Sequence, residues 1–183
     1  MGTDITATNA ICYVRGTRIL TPTGEVPIES LRIGDALVTR FGGIRQIRWI
    51  GEQKYDWRFV RHNPDKIPVR IAPGALANGM PARELAISPG HSVLLGNTLV
   101  LARDLVNGVT ILQGFDPARD TGKLEYFQIE LESHDCVIAE GCWAETFADA
   151  PGLRAQFHNA ASYAARYPDA PPPDELMLCA ERP

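Results

Sequence analysis

The sequence has no C-x-x-C pair, and no histidine stands at zinc-finger spacing from its four cysteines, Cys12, Cys136, Cys142 and Cys179. A structural metal and a disulfide framework are therefore not expected, since 183 residues can bury an adequate core unaided. No apolar run approaches the roughly 18 residues of a membrane span, so none is expected. Residues 1–11 have neither the charged start nor the apolar core of a secretory signal. A cationic excess is missing too: 18 Lys and Arg against 22 Asp and Glu give a net charge of −4, which argues against nucleic acid as a partner. No cofactor motif is present, and no cofactor is expected.

Glycine and proline, by contrast, are plentiful. Sixteen and fourteen of them are spread along the chain, as expected for many short strands joined by tight turns. Strand-like runs dominate to about residue 147: Thr17–Thr21, Ala36–Arg40, Ile44–Ile50, Val69–Ala72, Ser92–Leu95, Leu99–Leu101, Val109–Leu112, Leu124–Glu132 and Cys136–Ala139. The clearest is Glu125–Glu132, where Phe127, Ile129 and Leu131 alternate with Gln128 and Glu130, the period of a half-buried strand. The charged, aromatic stretch Asp56–Lys66 reads as a long exposed loop. After Asp149, the helical spacing of Leu153, Phe157, Ala161 and Ala164 predicts a helix ending at Pro168, with His158-Asn159 on it. Ala170-Pro171-Pro172-Pro173 then forms a stiff linker to a short tail. The expected architecture is an all-β domain with this helix and tail as an appendage.

A longer-range regularity links residues 16–37 to residues 90–111, an offset of 90 − 16 = 74. Gly16 matches Gly90, Ile19 Val93, Leu20 Leu94, Val26 Val100, Leu31 Leu105, Gly34 Gly108 and Leu37 Ile111. Such a gapless register points to a duplicated β unit with pseudo-two-fold symmetry. Cys12 lies just before the first copy and His91 opens the second, so symmetry would bring them together.

A thiol beside an imidazole and a hydroxyl is a minimal kit for acyl transfer. The imidazole can raise the thiolate fraction and later protonate a departing amine. With Ile11 directly before it, Cys12 can attack the carbonyl of its own preceding residue through a five-membered ring, the proximity being built in.

These motifs resemble those of the Hedgehog/intein (Hint) family, and of a bacterial intein-like Hint subgroup in particular. Cys12-Tyr13-Val14-Arg15-Gly16-Thr17 is similar to the opening motif with its nucleophilic cysteine. Leu31 to Val38 resembles the L-x-x-G-D-x-V turn and strand, and Ser88-Pro89-Gly90-His91 the T-x-x-H motif. Tyr126 through His134-Asp135 to Gly141 resembles the motif near the domain's end. The resemblance implies a horseshoe-like all-β fold, an upstream flank at 1–11, a self-processing domain at 12–149, and a helix and tail at 150–183. It implies Cys12 as nucleophile, His91 as general acid/base, Ser88 as a supporting hydroxyl and His134 as a late-motif histidine. The substrate would be the chain's own upstream polypeptide, cleaved at Ile11–Cys12 by an N-to-S acyl shift, with water or a small thiol resolving the thioester. Where hedgehog proteins carry an Asp after the Ile44–Ile50 strand this chain has Gly51. Where inteins end on His-Asn it reads Glu145-Thr146-Phe147, without the carboxamide that splicing needs. Two other readings stay open: a degenerate Hint fold serving as a binding or structural module, and a Cys-His hydrolase acting in trans. The compartment stays open as well, a secreted bacterial protein or a cytoplasmic one.

Overall fold

The computed structural model describes residues 11–173 and 177–183, so the expected upstream flank lies outside it except for Ile11. The strands are β1 (Tyr13–Val14), β2 (Arg18–Thr21), β3 (Gly24–Pro27), β4 (Ala36–Val38), β5 (Ile44–Gln46), β6 (Trp49–Asp56), β7 (Val69–Ile71), β8 (Leu85–Ile87), β9 (Ser92–Leu95), β10 (Thr98–Leu101), β11 (Ile111–Gln113), β12 (Lys123–Glu130), β13 (Cys136–Ala139) and β14 (Cys142–Glu145). Two short helices join them, α1 (Trp57–Val60) and α2 (Ala160–Arg166). One sheet runs β11-β7-β8-β1-β12-β6, a second runs β10-β9-β14-β13-β2-β3, and β4 and β5 pair separately. The fold is mostly β with a C-terminal helix, as expected. Strands β1, β3, β8 and β14 fall outside the expected runs, and the expected strand Ile44–Ile50 is divided into β5 and the start of β6, which continues to Asp56.

The 74-residue offset reappears in the elements themselves. Adding 74 to the bounds of β2, β3 and β6 gives those of β9, β10 and β12. The 3-10 turn at Ile28–Ser30 likewise matches the one at Ala102–Leu105.

One core lies between the sheets, around Tyr13, Leu37, Ile71, Ile87, Ile129 and Val137, all buried. A second covers the other face of β6 and β12 and contains Cys12, Trp49, Tyr126, Phe147, Leu153 and Phe157. This second core refines one expectation and corrects three. Asp56–Lys66 is largely exposed, as expected, but it carries the one-turn helix α1, which places Trp57 at 7% and Val60 at 0% exposure in the core. Strand β12 is not half-buried, because Gln128 and Glu130, expected to face water, are at 1% and 7%. The C-terminal region is not an appendage, because it supplies the layer that buries them. It is also less helical than predicted: positive φ at Gly152 and extended backbone at Phe157 leave a 3-10 turn at Arg154–Gln156 and only seven residues in α2.

Side chains and backbone of residues 154–159 hold this layer down. Asn159 lies before α2, not on it; its Oδ1 accepts from Glu52 N and its Nδ2 donates to Ile50 O, each at 2.8 Å. His158 N donates to Glu52 O at 2.8 Å and its Nδ1 accepts from Lys54 N at 3.1 Å. The outer edge of β6 is thus satisfied by a loop in place of another strand. Arg154 pairs with Glu130 and Asp149, its guanidinium 3.5 Å from the Tyr163 ring centroid. Phe157 lies so close to β6 that a Cβ at Gly51 would fall 2.5 Å from its ring, which explains glycine there.

Phe157→Ala removes the side chain that seals this layer. It should lower stability by roughly 3–5 kcal/mol in denaturant titration, the usual cost of emptying a buried aromatic site. It should also speed labelling of Cys12 by a thiol reagent.

Candidate active site around Cys12

Strand β1 is threaded between β12 and β8, with Tyr13 paired to Phe127 on one side and to Ile87 on the other. This lays the Cys12 peptide group against the end of β8. Cys12 N donates to Ser88 Oγ at 2.9 Å, and Ser88 N donates to Cys12 O at 2.9 Å. The chain then turns through Pro89-Gly90, closed by His91 N donating to Ser88 O at 3.0 Å, which brings the imidazole back over β1. His91 is fully buried, its ring 4.3 Å from that of Tyr13 and edge-on to it. Tyr13 Oη donates to the Glu145 carbonyl at 2.9 Å, and His91 Nε2 lies 2.9 Å from the same oxygen.

A carbonyl only accepts, so His91 Nε2 carries its proton and Nδ1 presents a lone pair. Nδ1 is buried without a hydrogen-bond partner. Burial lowers the ring's pKa; the charge of Glu145 and the backbone of Cys12 and Glu145 oppose that, and the net shift is downward. His91 is therefore a neutral base whose charged form the Cys12 backbone favours. Cys12, Ser88 and His91 are thus brought together through the backbone of Cys12.

The thiol lies on the other face of β1. Its sulfur approaches Gln53 Oε1 at 4.0 Å, inside the second core. Burial pushes the thiol pKa far up, and the charge of Lys66 only partly offsets this.

His134 does not join the cluster. Its Nε2 lies 3.3 Å from Glu145 Oε2 and its Nδ1 accepts from Cys179 N at 2.9 Å. Burial disfavours its charge, but Cys179 and Glu145 outweigh it and raise the pKa to about 9. In the neutral ring the Cys179 N–H, needing a lone pair on Nδ1, sets the tautomer with the proton on Nε2. Burial works against the Glu145 carboxylate, but the hydrogen bond from His134 and the charge of Arg182 bring its pKa down to about 2.

Two carboxamides that sequence reasoning passed over share the cysteine's face. Gln53 donates through Nε2 to Gln156 O at 2.8 Å. Gln128 stands level with Cys12 when the Tyr13–Phe127 pairing is extended by one residue. It is 1% exposed, its Oε1 accepts from Ile129 N, and its Nε2 has no partner. The alternation of β12 assigned it to solvent; only its amide chemistry in an otherwise apolar run could have marked it. Among the described residues no group of three His, Cys, Asp or Glu is arranged to hold a metal, and no helix is long and apolar enough to cross a membrane.

A β fold in which a cysteine peptide is held by the serine that opens a Ser-Pro-Gly-His turn, with the histidine of that turn against the same backbone, defines a class of domain. The Hint domain family model matches residues 11–151, and the chain belongs to that family. Among solved structures, a DnaB intein from Synechocystis sp. PCC 6803 superposes with a TM-score of 0.50 at 10% identity, over 75% of this chain and 99% of that one. A variant of the Ssp DnaB mini-intein gives 0.52 at 10% identity, over 78% and 98%. At these identities the likeness is one of fold. A bacterial intein-like domain from Clostridium thermocellum gives 0.41 at 12% identity, over 74% and 98%. Comparison with curated proteins gives no match.

The depressed pKa of Glu145 has a thermodynamic consequence. Its carboxylate contributes stability above its ordinary pKa of 4.5, lost as pH falls through 4.5 toward about 2. At about 1.4 kcal/mol per unit, the loss is on the order of 3 kcal/mol. Thermal unfolding followed over this range should fall more steeply for the parent protein than for Glu145→Gln.

Proposed function

We propose that this Hint domain cleaves its own chain at the Ile11–Cys12 bond by an N-to-S acyl shift and does not splice. The observation that carries this reading is the grip on the Cys12 peptide: Ser88 bonds both its N–H and its C=O, and the neutral His91 lies against the same backbone. A hydrolase acting in trans would need an open cleft at the thiol; here the thiol is buried.

The sulfur of Cys12 attacks the Ile11 carbonyl carbon, forming the C–S bond. Its proton passes to the Cys12 nitrogen as the C–N bond breaks, leaving a thioester and a free amine. His91 carries that proton in transit: its Nδ1 takes it up and returns it to the nitrogen, a very poor leaving group until protonated. Ser88 Oγ orients the nitrogen. Gln128 Nε2 supplies the donor for the oxyanion developing on the Ile11 carbonyl. Because burial holds the thiol protonated, the layer around Phe157 loosens before the sulfur becomes nucleophilic. Water or a small thiol then takes the acyl group.

Splicing is excluded from the proposal because the place where a terminal Asn would act holds Thr146. Its hydroxyl is spent on the backbone of Asp135, donating to its O at 3.1 Å and accepting from its N at 3.0 Å. The other Asn-based ending, His158-Asn159, has its carboxamide spent on β6. The domain limits follow the same reading, with a flank at 1–11, a core domain at 12–149 and the C-terminal part at 150–183. His134 acts here by positioning Glu145. One observation favours the rival reading, a degenerate binding or structural module: the closed state buries the nucleophile away from its base.

Mass spectrometry separates the two. With polypeptide fused to both ends, added thiol should release the upstream part at Ile11–Cys12 and leave the downstream part attached. Cys12→Ala should abolish release, and His91→Ala should slow it by about a hundredfold or more. A ligated product of both flanks would overturn the no-splicing claim; absence of any release, even with Phe157→Ala, would favour the module.

Gln128 offers a finer check. Gln128→Met keeps the volume but loses the donor, so thiol-induced release should slow by about 10²-fold, the scale of one oxyanion donor. Thermal stability should change little, because the lost hydrogen bond to Ile129 N is offset by removing a buried unsatisfied amide. Unfolding curves and cleavage rates on the same preparation would show the split.

A further inference from the structure

Cys136 and Cys179, for which the sequence gives no expectation of a disulfide, meet across the fold with their sulfurs 3.8 Å apart. Cys136 opens β13 and is fully buried; Cys179 lies in the tail and is partly exposed. The tail is docked on both sides of Cys179. Before it Leu178, and after it Ala180, pack with Leu94, Leu99 and Trp143. Leu99 N donates to Glu181 O at 2.8 Å, and Arg182 reaches the Glu145 carboxylate at 2.9 Å. Cys179 N is bonded to His134 at 2.9 Å. The two thiols are thus held facing each other by at least three independent anchors, so only a shift of under about 2 Å separates them from bonding distance.

We infer that Cys136 and Cys179 form a redox site that exchanges with small disulfides such as oxidised glutathione and closes reversibly into a disulfide. The roles divide by exposure. Cys179 is reachable from solvent, and the hydrogen bond from the Cys136 thiol favours its thiolate. Cys136, with its pKa pushed up by the same pairing and by burial, is the resolving thiol. The Cys179 sulfur attacks one sulfur of oxidised glutathione, whose S–S bond breaks and releases one glutathione. Cys136 then attacks the Cys179 sulfur of the mixed disulfide and expels the second. Both protein thiol protons end on the two glutathione thiols, so one disulfide is exchanged for another.

The bond would close a loop of sequence separation 43, which contains Glu145, Phe157 and α2. It would therefore tie down the layer that covers Cys12, and it would do so whether or not the domain cleaves itself.

The test uses the whole chain, treated with oxidised glutathione, alkylated and mapped by mass spectrometry. The expected product is two hydrogens lighter, with the Cys136 and Cys179 peptides cross-linked, and dithiothreitol should restore both thiols. Cys136→Ser should leave a glutathione adduct on Cys179, and Cys179→Ser should leave Cys136 unmodified, while Cys142→Ala should oxidise like the parent. Native circular dichroism of each variant guards against misfolding. Two free thiols after treatment of the parent chain, a persistent glutathione adduct on its Cys179, or a cross-link involving Cys12 or Cys142 would overturn the proposal.

Discussion

The candidate site hangs on the hydrogen bonds that converge on Glu145. Its carbonyl accepts from Tyr13 and His91; its carboxylate accepts from Ser92 N, His134 and Arg182. A fully buried carboxylate survives only because each partner repays part of its desolvation. The outcome is a fixed backbone oxygen beside His91. That oxygen dictates the imidazole's tautomer, and the tautomer dictates that the lone pair is on the nitrogen not held by Glu145. One residue of β14 thus sets the protonation geometry at the start of the chain, without touching Cys12.

The second organising constraint is the C-terminal layer. Phe157 over Gly51, Asn159 along the edge of β6 and Arg154 on Glu130 turn the open face of a two-stranded ribbon into a core. That core takes in the cysteine sulfur and keeps it protonated. Under the proposed function, the Cys12 peptide is held in place while its thiol is stored, so that access to the sulfur controls the reaction. The tail reinforces the arrangement from the other side through Arg182 on Glu145, placing the Cys136–Cys179 contact where it can hold the cover shut.

Much of this was legible in the sequence. The period-two runs announced a β protein, and the 74-residue offset seen between 16–37 and 90–111 recurs in the bounds of β2 and β9 and of β3 and β10; β6 and β12 repeat it outside the segments where the sequence displayed it. The opening motif, the Ser88-Pro89-Gly90-His91 turn and the missing terminal Asn were local features, fixed by residue identity and spacing.

What the sequence could not decide depended on which surfaces were covered. Gln128 and Glu130 alternate with apolar residues, so a strand reading turns them outward; they are inside because a segment from the far end of the chain lies over them. The direction of the Cys12 thiol, on the face opposite His91, follows from the pleat of β1 and from its neighbours, not from the motif. The meeting of Cys136 with Cys179 needs the tail to return across β9 and β10. Residue order and periodicity determined the strands, the repeat and the chemistry at hand. Long-range packing alone determined which groups lost their water, among them the Cys12 thiol, the His91 imidazole and the Gln128 carboxamide.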